Sequence, residues 1–211
     1  MPATRIRRDS RFTEVLKPIM SELKLDVAHS ALLVMDFQTP IVERYAAGKD
    51  SLLDATAAAI AAARRGGMRV IYVVVGFRPG FPEISPRNQI FSAIKASGGI
   101  AADIHPRVAP APDEVIVTKH RVGAFMGTDL DMILRSNGID TLVMCGTATS
   151  GVVLSTLRHA ADCDYRIIVL RDGCSDMDGG VHSCLLDKVF PRQAAVSSSI
   201  GLIRDLPEAL V

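Results

Sequence analysis

The 211-residue chain has the length of one sizeable domain, and 48% of its residues are hydrophobic, which predicts a single hydrophobic core. Its 24 basic and 23 acidic side chains nearly balance, which excludes a strongly charged surface for nucleic acid or an anionic membrane. Trp is absent and aromatic residues make up 5%, which argues against stacking platforms for single-stranded nucleic acid. The composition therefore favours a small molecule or another protein as partner, with neither nucleic acid nor membrane.

The first 25 residues are predicted to form an arm or a helix outside the core, and residues 26–211 to form one domain. The start of the chain is basic but lacks the apolar stretch of a signal peptide, and no apolar run reaches membrane-spanning length. We therefore expect a cytoplasmic protein. Its four cysteines form no CxxC pair and have no His at finger-like spacing, so reduced thiols are expected.

Six short apolar runs, rich in β-branched residues, alternate with longer helix-like stretches. The runs are apolar at successive positions, which is typical of strands covered on both faces. They are ALLVMDF from Ala31, MRVIYVVVGF from Met68, EVIVTKH from Glu114, DTLVMCG from Asp140, YRIIVLRD from Tyr165 and the weaker QAAVSSS from Gln193. The pattern predicts the α/β class, as a three-layer α/β/α sandwich with a six-stranded parallel sheet and right-handed crossovers.

Four helices are predicted between these strands, each with a recognisable end. Their sequences are SLLDATAAAIAAARRGG, which ends at Gly66 and Gly67, then GTDLDMILRSNG, SGVVLSTLRHAADC and GVHSCLLDKVF, which stops at Pro191. The stretch FRPGFPEISPRN after the second strand is rich in Pro and Gly, and it is predicted to be a long, rigid loop.

Charged residues end two of the predicted strands. Asp36 ends the first strand and Lys119 ends the third, and ligands of open parallel sheets bind beyond the carboxyl ends of the strands. Asp36 follows apolar residues, so we expect it to be half-buried, with its pKa raised by burial and lowered by a nearby ammonium. Lys119 is the candidate ammonium. The structural alternatives are an Asp that ties a turn and a solvated Lys.

The turn GTATSG, from Gly146 to Gly151, follows the fourth strand and precedes a helix. Its small side chains leave N–H groups free at the positive end of the helix dipole, which predicts a site for a negative or polarised oxygen. The alternative is that Thr149 or Ser150 is merely the N-cap of the helix.

Three stretches in this order carry a resemblance to a known family: ALLVMDFQ, the segment from VTKHRVGAF to LRDGCSD, and KVFPRQAAV. They resemble the isochorismatase-like, or cysteine hydrolase, superfamily, and the resemblance covers nearly everything after residue 25. It implies a Rossmann-like fold with a six-stranded parallel sheet, a hydrolase activity without a cofactor, and a homo-oligomer, as a dimer or a larger assembly.

Most members of that superfamily use an Asp, a Lys and a Cys as a catalytic triad. Asp36 and Lys119 match the first two positions, and the third falls on Val152, which has no thiol. The resemblance implies that the N–H groups of Ala148 and Val152 form the oxyanion site, with a cis peptide between Thr147 and Ala148. These donors do not depend on the side chain at position 152.

Two mechanisms remain open without the thiol. Thr149 or Ser150 could supply a replacement hydroxyl for amide hydrolysis, although a hydroxyl needs an adjacent base. Alternatively, isochorismatases and related phenazine-pathway enzymes protonate the alkene carbon of a vinyl ether from the Asp, and water then adds. In that case a hydrophobic pocket of Val152, Phe37 and Phe125 would help by raising the pKa of Asp36, while Lys119 acts in the opposite direction.

Arg78, and after it Arg87, are the candidates in the Pro-rich loop for binding a substrate carboxylate, because a guanidinium makes planar bidentate contacts. A metal is not expected, because the nicotinamidase branch places an Asp and two His in this loop and the loop here has no His. His120 is expected to be a packing or surface residue, His182 to cap a helix, and Cys174 to be a small buried apolar residue.

The prediction is thus an isochorismatase-like hydrolase of a small, anionic substrate. Asp36 is its general acid or base and Lys119 its electrostatic partner. The alternatives are an amidase with a replacement hydroxyl, and an inactive family member that binds a small molecule or serves as a subunit.

Overall fold

A computed structural model describes residues 25–46 and 48–206, so the arm predicted for residues 1–25 lies outside the described residues except at its last position. The six predicted runs form strands β1 Ser30–Met35, β2 Arg69–Val75, β3 Val115–Lys119, β4 Thr141–Thr147, β5 Arg166–Ser175 and β6 Ala195–Ser197. They pair in parallel in the order β3-β2-β1-β4-β5-β6. The six-stranded parallel sheet predicted from the apolar runs is confirmed.

Seven α-helices lie in the described part of the chain. They are α1 Thr39–Tyr45, α2 Lys49–Arg65, α3 Gln89–Ala96, α4 Leu130–Ser136, α5 Leu154–Asp162, α6 Gly179–Cys184 and α7 Ser199–Asp205. The pattern did not predict α1, α3 and α7, because helices of two turns show too little periodicity to be recognised.

Two of the predicted helices are not continuous α-helices. A π-helical turn, Thr149–Val153, precedes α5, and a second one, Leu185–Val189, follows α6 and leads into the 3-10 turn Phe190–Arg192. Single π-helical turns often occur at functional sites, and the first of these two lies at the predicted one.

Both faces of the sheet are covered by helices. Strand β1 is buried along its whole length, and its side chains alternate between two apolar clusters. Met35 packs on the side that holds Leu130 of α4 and Leu157 of α5, whereas Val34 packs on the side that holds Leu52 of α2 and Leu202 of α7. This is the three-layer arrangement that successive apolar positions in the strands predicted.

The strand order reverses beside β1, which has β2 on one side and β4 on the other, so a crevice is expected beyond their carboxyl ends. The strands pack closely there, because a Cβ at Gly146 would lie 3.1 Å from the Met35 carbonyl oxygen and 3.0 Å from Val153 Cγ2. Gly146 thus lies between the end of β1 and Val153, the last residue of the π-helical turn. Within the described residues, no helix is both long and apolar enough to cross a bilayer.

Candidate active site

Asp36 and Lys119 form a buried ion pair at the carboxyl end of the sheet. Lys119 Nζ lies 2.9 Å from Asp36 Oδ2, and the two side chains are 3% and 9% exposed respectively. Because β3 lies two strands from β1, the Lys119 side chain must reach across the end of β2, a span of about 10 Å between strand axes. Lys119 Nζ also donates to the Arg121 carbonyl oxygen at 3.0 Å, which holds its head group in place.

Two opposing influences act on the pKa of the Asp36 carboxyl group. Burial raises its pKa above the ordinary value, while the charge of Lys119 and its hydrogen bond lower it. Burial is the larger influence, so the pKa is raised. Oδ1 of Asp36 is also buried and has no hydrogen-bond partner among the described residues. A buried acceptor without a partner is costly, so this oxygen is available to a ligand.

Asp36 has a left-handed backbone conformation, with φ of 58°. Regular alternation along β1 would place Phe37 on the side of Met35, but the left-handed residue breaks the alternation, and Phe37 packs with Val34 on the opposite side. The prediction that Phe37 joins Val152 and Phe125 in one pocket is therefore wrong.

Gln38 is a structural residue of the site that the sequence interpretation missed. Its fully buried amide accepts from the Val75 N–H at 2.7 Å and donates to the Val75 carbonyl at 3.0 Å and to the Ala101 carbonyl at 2.7 Å. The side chain thereby makes the hydrogen bonds that a neighbouring strand would make with Val75 at the end of β2. These bonds hold the backbone that follows Asp36 in place. The ALLVMDFQ motif contains this Gln, but a polar residue after a strand does not reveal its partners.

The turn after β4 begins with a cis peptide between Thr147 and Ala148. Thr149 is fully buried, and its hydroxyl donates to the Ser175 carbonyl at 3.1 Å, so it does not cap the helix. Ser150 is exposed, and its N–H donates to Asp176 Oδ2 at 2.7 Å. The π-helical turn has no side-chain cap, so capping does not explain the small residues of GTATSG.

Val152 lies within this turn, is 2% exposed and belongs to the same apolar cluster as Phe125. Phe125 stacks on His159 of α5, with ring centroids 4.7 Å apart and planes 9° apart. The loop that carries Phe125 is tied to α5, because the Ala124 N–H donates to Thr156 Oγ1 at 3.1 Å. Position 152, which the resemblance assigns to the nucleophile, is therefore occupied by a buried apolar side chain packed among other apolar groups.

Asp176 and His182 also contact the turn, and the sequence interpretation missed both contacts. His182 does not cap α6, since Asp178 accepts from the N–H groups of Gly180 and Val181. Its ring Nδ1 lies 2.8 Å from Thr149 Oγ1 instead. The only signal for Asp176 was its place directly after β5, the neighbour of β4.

The arginines predicted to bind a carboxylate are exposed side chains of the Pro-rich loop. Arg78 is 69% exposed and pairs with Glu83 at 2.5 Å, and Arg87 is exposed. Arg121, two positions after Lys119, is half-buried and donates to the Glu83 and His120 carbonyls. The Arg121 charge is thus held by backbone oxygens near the site.

The remaining sequence candidates have structural roles. His120 Nδ1 lies 2.6 Å from the Gly76 carbonyl oxygen. Burial raises the pKa of the Cys174 thiol to about 12 and that of Cys145 well above its ordinary value, so neither thiol is a ready nucleophile. Residues 25–46 and 48–206 contain no group of three or more His, Cys, Asp or Glu side chains suited to a metal ion.

The isochorismatase domain model matches residues 30–200, which include Asp36, Lys119 and the turn with Val152. The chain belongs to the isochorismatase family. The resemblance in the three sequence stretches is confirmed, and the site described above lies wholly inside the matched isochorismatase domain.

Relatives within the isochorismatase family agree with this assignment. An uncharacterized family protein of Bacillus subtilis, YwoC, is 33% identical over 177 residues, covering 82% of this chain and 92% of its own. The ureidoacrylate amidohydrolase RutB of Azorhizobium caulinodans is 31% identical, covering 71% and 78%. The structure of an isochorismatase family protein from Burkholderia thailandensis has a TM-score of 0.75 and 27% identity, covering 87% and 97%. The chain is thus a member of a hydrolase family over most of its length.

Proposed function

We propose that this isochorismatase-family hydrolase acts on a small, anionic vinyl ether, with Asp36 as the general acid and water as the nucleophile. The observation that carries the proposal is the buried carboxyl of Asp36, which is bonded to Lys119 through one oxygen and free at the other. A raised pKa keeps a carboxyl protonated at higher pH, as a general acid requires. The apolar side chain of Val152 is compatible with this chemistry, because no covalent intermediate is formed.

In the proposed reaction Asp36 donates its proton to the terminal alkene carbon, and the ether oxygen stabilises the resulting oxocarbenium ion. Water adds to the oxocarbenium carbon, which bears the ether oxygen, and returns a proton to Asp36. The hemiketal then breaks its bond to the leaving oxygen, which takes up the hydroxyl proton, to give an alcohol and a ketone. One water is consumed and Asp36 is regenerated. Lys119 limits the pKa of Asp36, so that the carboxylate formed in the first step is stabilised.

Amide hydrolysis is a second candidate, and the relative named ureidoacrylate amidohydrolase favours it. Without a thiol, ionised Asp36 would take a proton from water as the water attacks the carbonyl carbon. The N–H groups of Ala148 and Val152 are then the proposed donors to the oxyanion. Thr149 is an unsuitable nucleophile because its hydroxyl is engaged with the Ser175 carbonyl.

The direction of the pH dependence distinguishes the two reactions. For vinyl ether hydrolysis, kcat is expected to be high at low pH and to fall as pH rises through the raised pKa of Asp36, since only the protonated acid reacts. For amide hydrolysis, kcat is expected to rise with pH through the same pKa. Steady-state kinetics from pH 4 to 9, with unfolding followed in parallel, decide between these slopes.

Val152→Cys tests whether the nucleophile position is needed. We expect the variant to hydrolyse vinyl ethers within about tenfold of the wild-type rate, because the proposed mechanism uses no side chain at this position. The exchange is also expected to lower the free energy of unfolding by only roughly 1.5 kcal/mol or less, so the site keeps its structure. Both proteins are assayed on isochorismate-type vinyl ethers and on small primary amides and ureido acids. Val152→Ala, which also lacks a thiol, is the control.

Three outcomes of this assay contradict the proposal in different ways. Wild-type turnover of amides alone, rising with pH, assigns the second candidate function. If wild type is silent on both panels and Val152→Cys gains amidase activity, the chain is a scaffold that has lost its nucleophile. Silence of every variant on both panels favours a binding protein or a subunit without catalysis.

A further inference from the structure

The segment Ser175–His182, between the end of β5 and the first turn of α6, contacts the turn Thr149–Val153 at three points. The Ser175 carbonyl accepts from Thr149 Oγ1 at 3.1 Å, and His182 Nδ1 lies 2.8 Å from the same oxygen. The Asp176 carboxylate accepts from the Ser150 N–H at 2.7 Å. We name this segment the clamp, because it holds two consecutive residues of the turn at the predicted oxyanion site.

The clamp is itself well fixed. The Asp178 side chain accepts from the Gly180 N–H at 2.8 Å and from the Val181 N–H at 3.0 Å, and its carbonyl accepts from the His182 N–H at 2.9 Å. These bonds fix the residue at which α6 begins, and hence the direction in which the His182 side chain extends from the helix. Such caps stabilise a helix end, so a stable local structure holds His182 beside Thr149.

The two contacts of Thr149 Oγ1 determine the tautomer of His182. A backbone carbonyl can only accept, so the single hydroxyl proton of Thr149 is donated to Ser175. The oxygen of Thr149 can then only accept from the His182 ring, which requires the proton on Nδ1. Nε2 is left as a hydrogen-bond acceptor while the ring is neutral.

We propose that His182 is a positioning residue: its Nδ1–H, acting through Thr149, holds the turn that presents the Ala148 and Val152 N–H groups to the substrate. This inference rests on the proposed function, because it gives that turn a role beside the reacting group. Thr149 is fully buried, and without His182 its hydroxyl would keep the Ser175 carbonyl as a partner but its oxygen would accept no hydrogen bond. The turn is expected to shift in response.

The charged groups around His182 favour its neutral form. Burial lowers the pKa of His182, and Arg171 on β5 adds to this, while Asp176 on the clamp and Asp187 on the following π-helical turn oppose it. Protonation at Nε2 would leave the Nδ1–H in place, so the contact with Thr149 is expected to persist on both sides of the titration. The clamp is therefore predicted to be constant with pH.

A nuclear magnetic resonance experiment tests the clamp without any substrate. In wild type, the neutral His182 ring is expected to be protonated at Nδ1 and unprotonated at Nε2. His182→Leu is expected to move the backbone amide signals of Ala148 and Val152, and His182→Asn to restore them, because an asparagine Nδ2 can occupy the position of Nδ1. Thr149→Val is expected to abolish the Nδ1–H preference. His29→Ala, at the opposite end of the sheet, is the control.

The proposal is overturned if His182 is protonated at Nε2 in wild type, if His182→Leu leaves both amide signals unchanged, or if His182→Asn shifts them as much as Leu does. On whichever substrate wild type hydrolyses, His182→Leu is expected to lower kcat about tenfold with little change in KM, and Asn to recover most of the loss. If wild type hydrolyses neither panel, the proposed function fails, and the amide signals still decide the role of His182.

Discussion

Asp36→Asn is expected to lower kcat on a vinyl ether by about 10²- to 10⁴-fold, the usual contribution of a general acid, while KM changes little. Asn keeps the shape of the side chain, and its carbonyl oxygen can still accept from Lys119 Nζ, but it has no proton to donate at the required acidity. Asn also tolerates the left-handed backbone at this position. Steady-state kinetics on purified protein, with circular dichroism as a check of folding, measure the effect.

The matched control for this loss is Asp113→Asn, which removes an exposed carboxylate from the loop before β3. We expect this variant to keep the wild-type kcat. Retention of more than about a tenth of the wild-type kcat by Asp36→Asn, below the usual range for loss of a general acid, shows that another group donates the proton. Equal losses in both variants would instead indicate a general effect of charge.

Lys119→Met is expected to destabilise the protein by about 3–5 kcal/mol at pH 8, because it leaves the buried carboxylate of Asp36 without its cation. The loss is expected to be smaller at pH 5. Without Lys119, burial raises the pKa of Asp36 further above its unfolded value, and the native state can then take up a proton that neutralises the charge. Urea unfolding at both pH values gives the two free energies of unfolding.

The sign of this pH dependence follows from linkage. Between the unfolded and the raised folded pKa of Asp36, the native state holds a proton that the unfolded state has lost, so stability falls as pH rises through that window. Lys95→Met, on the exposed side of α3, serves as the control and is expected to keep the pH dependence of the wild-type protein. A loss in Lys119→Met that is the same at pH 5 and pH 8 shows that Asp36 does not titrate in response.

The fold was predictable because the strands of a parallel sheet are buried on both faces and so appear as continuous apolar runs. Even the weak run from Gln193 corresponds to a strand, Ala195–Ser197. The helix α1 escaped prediction because it is short and begins with Thr39 and Pro40 beside the site. Its boundaries depend on the bonds of Gln38, which no local pattern reveals.

The site was only partly predictable. Asp36 and Lys119 stood out because each is a charged residue that ends an apolar run, and the structure brings them together. Asp176 and His182 did not, because neither ends a predicted apolar run and no local pattern reveals their contacts with residues 26 and 33 positions away. The register between β4 and β5 also shifts between Met144 and Gly146, so even a correct strand order would not have aligned these residues.

The left-handed backbone at Asp36 also bears on how this site could change during evolution. Gly and Asn adopt that conformation as readily as Asp, and either replaces Asp through a single-base change in its codon. Neither substitution would strain the turn, so the conformation alone does not demand an acid at position 36. The requirement for an acid at this position therefore comes from the buried Lys119 and from the proposed chemistry, and not from the backbone conformation.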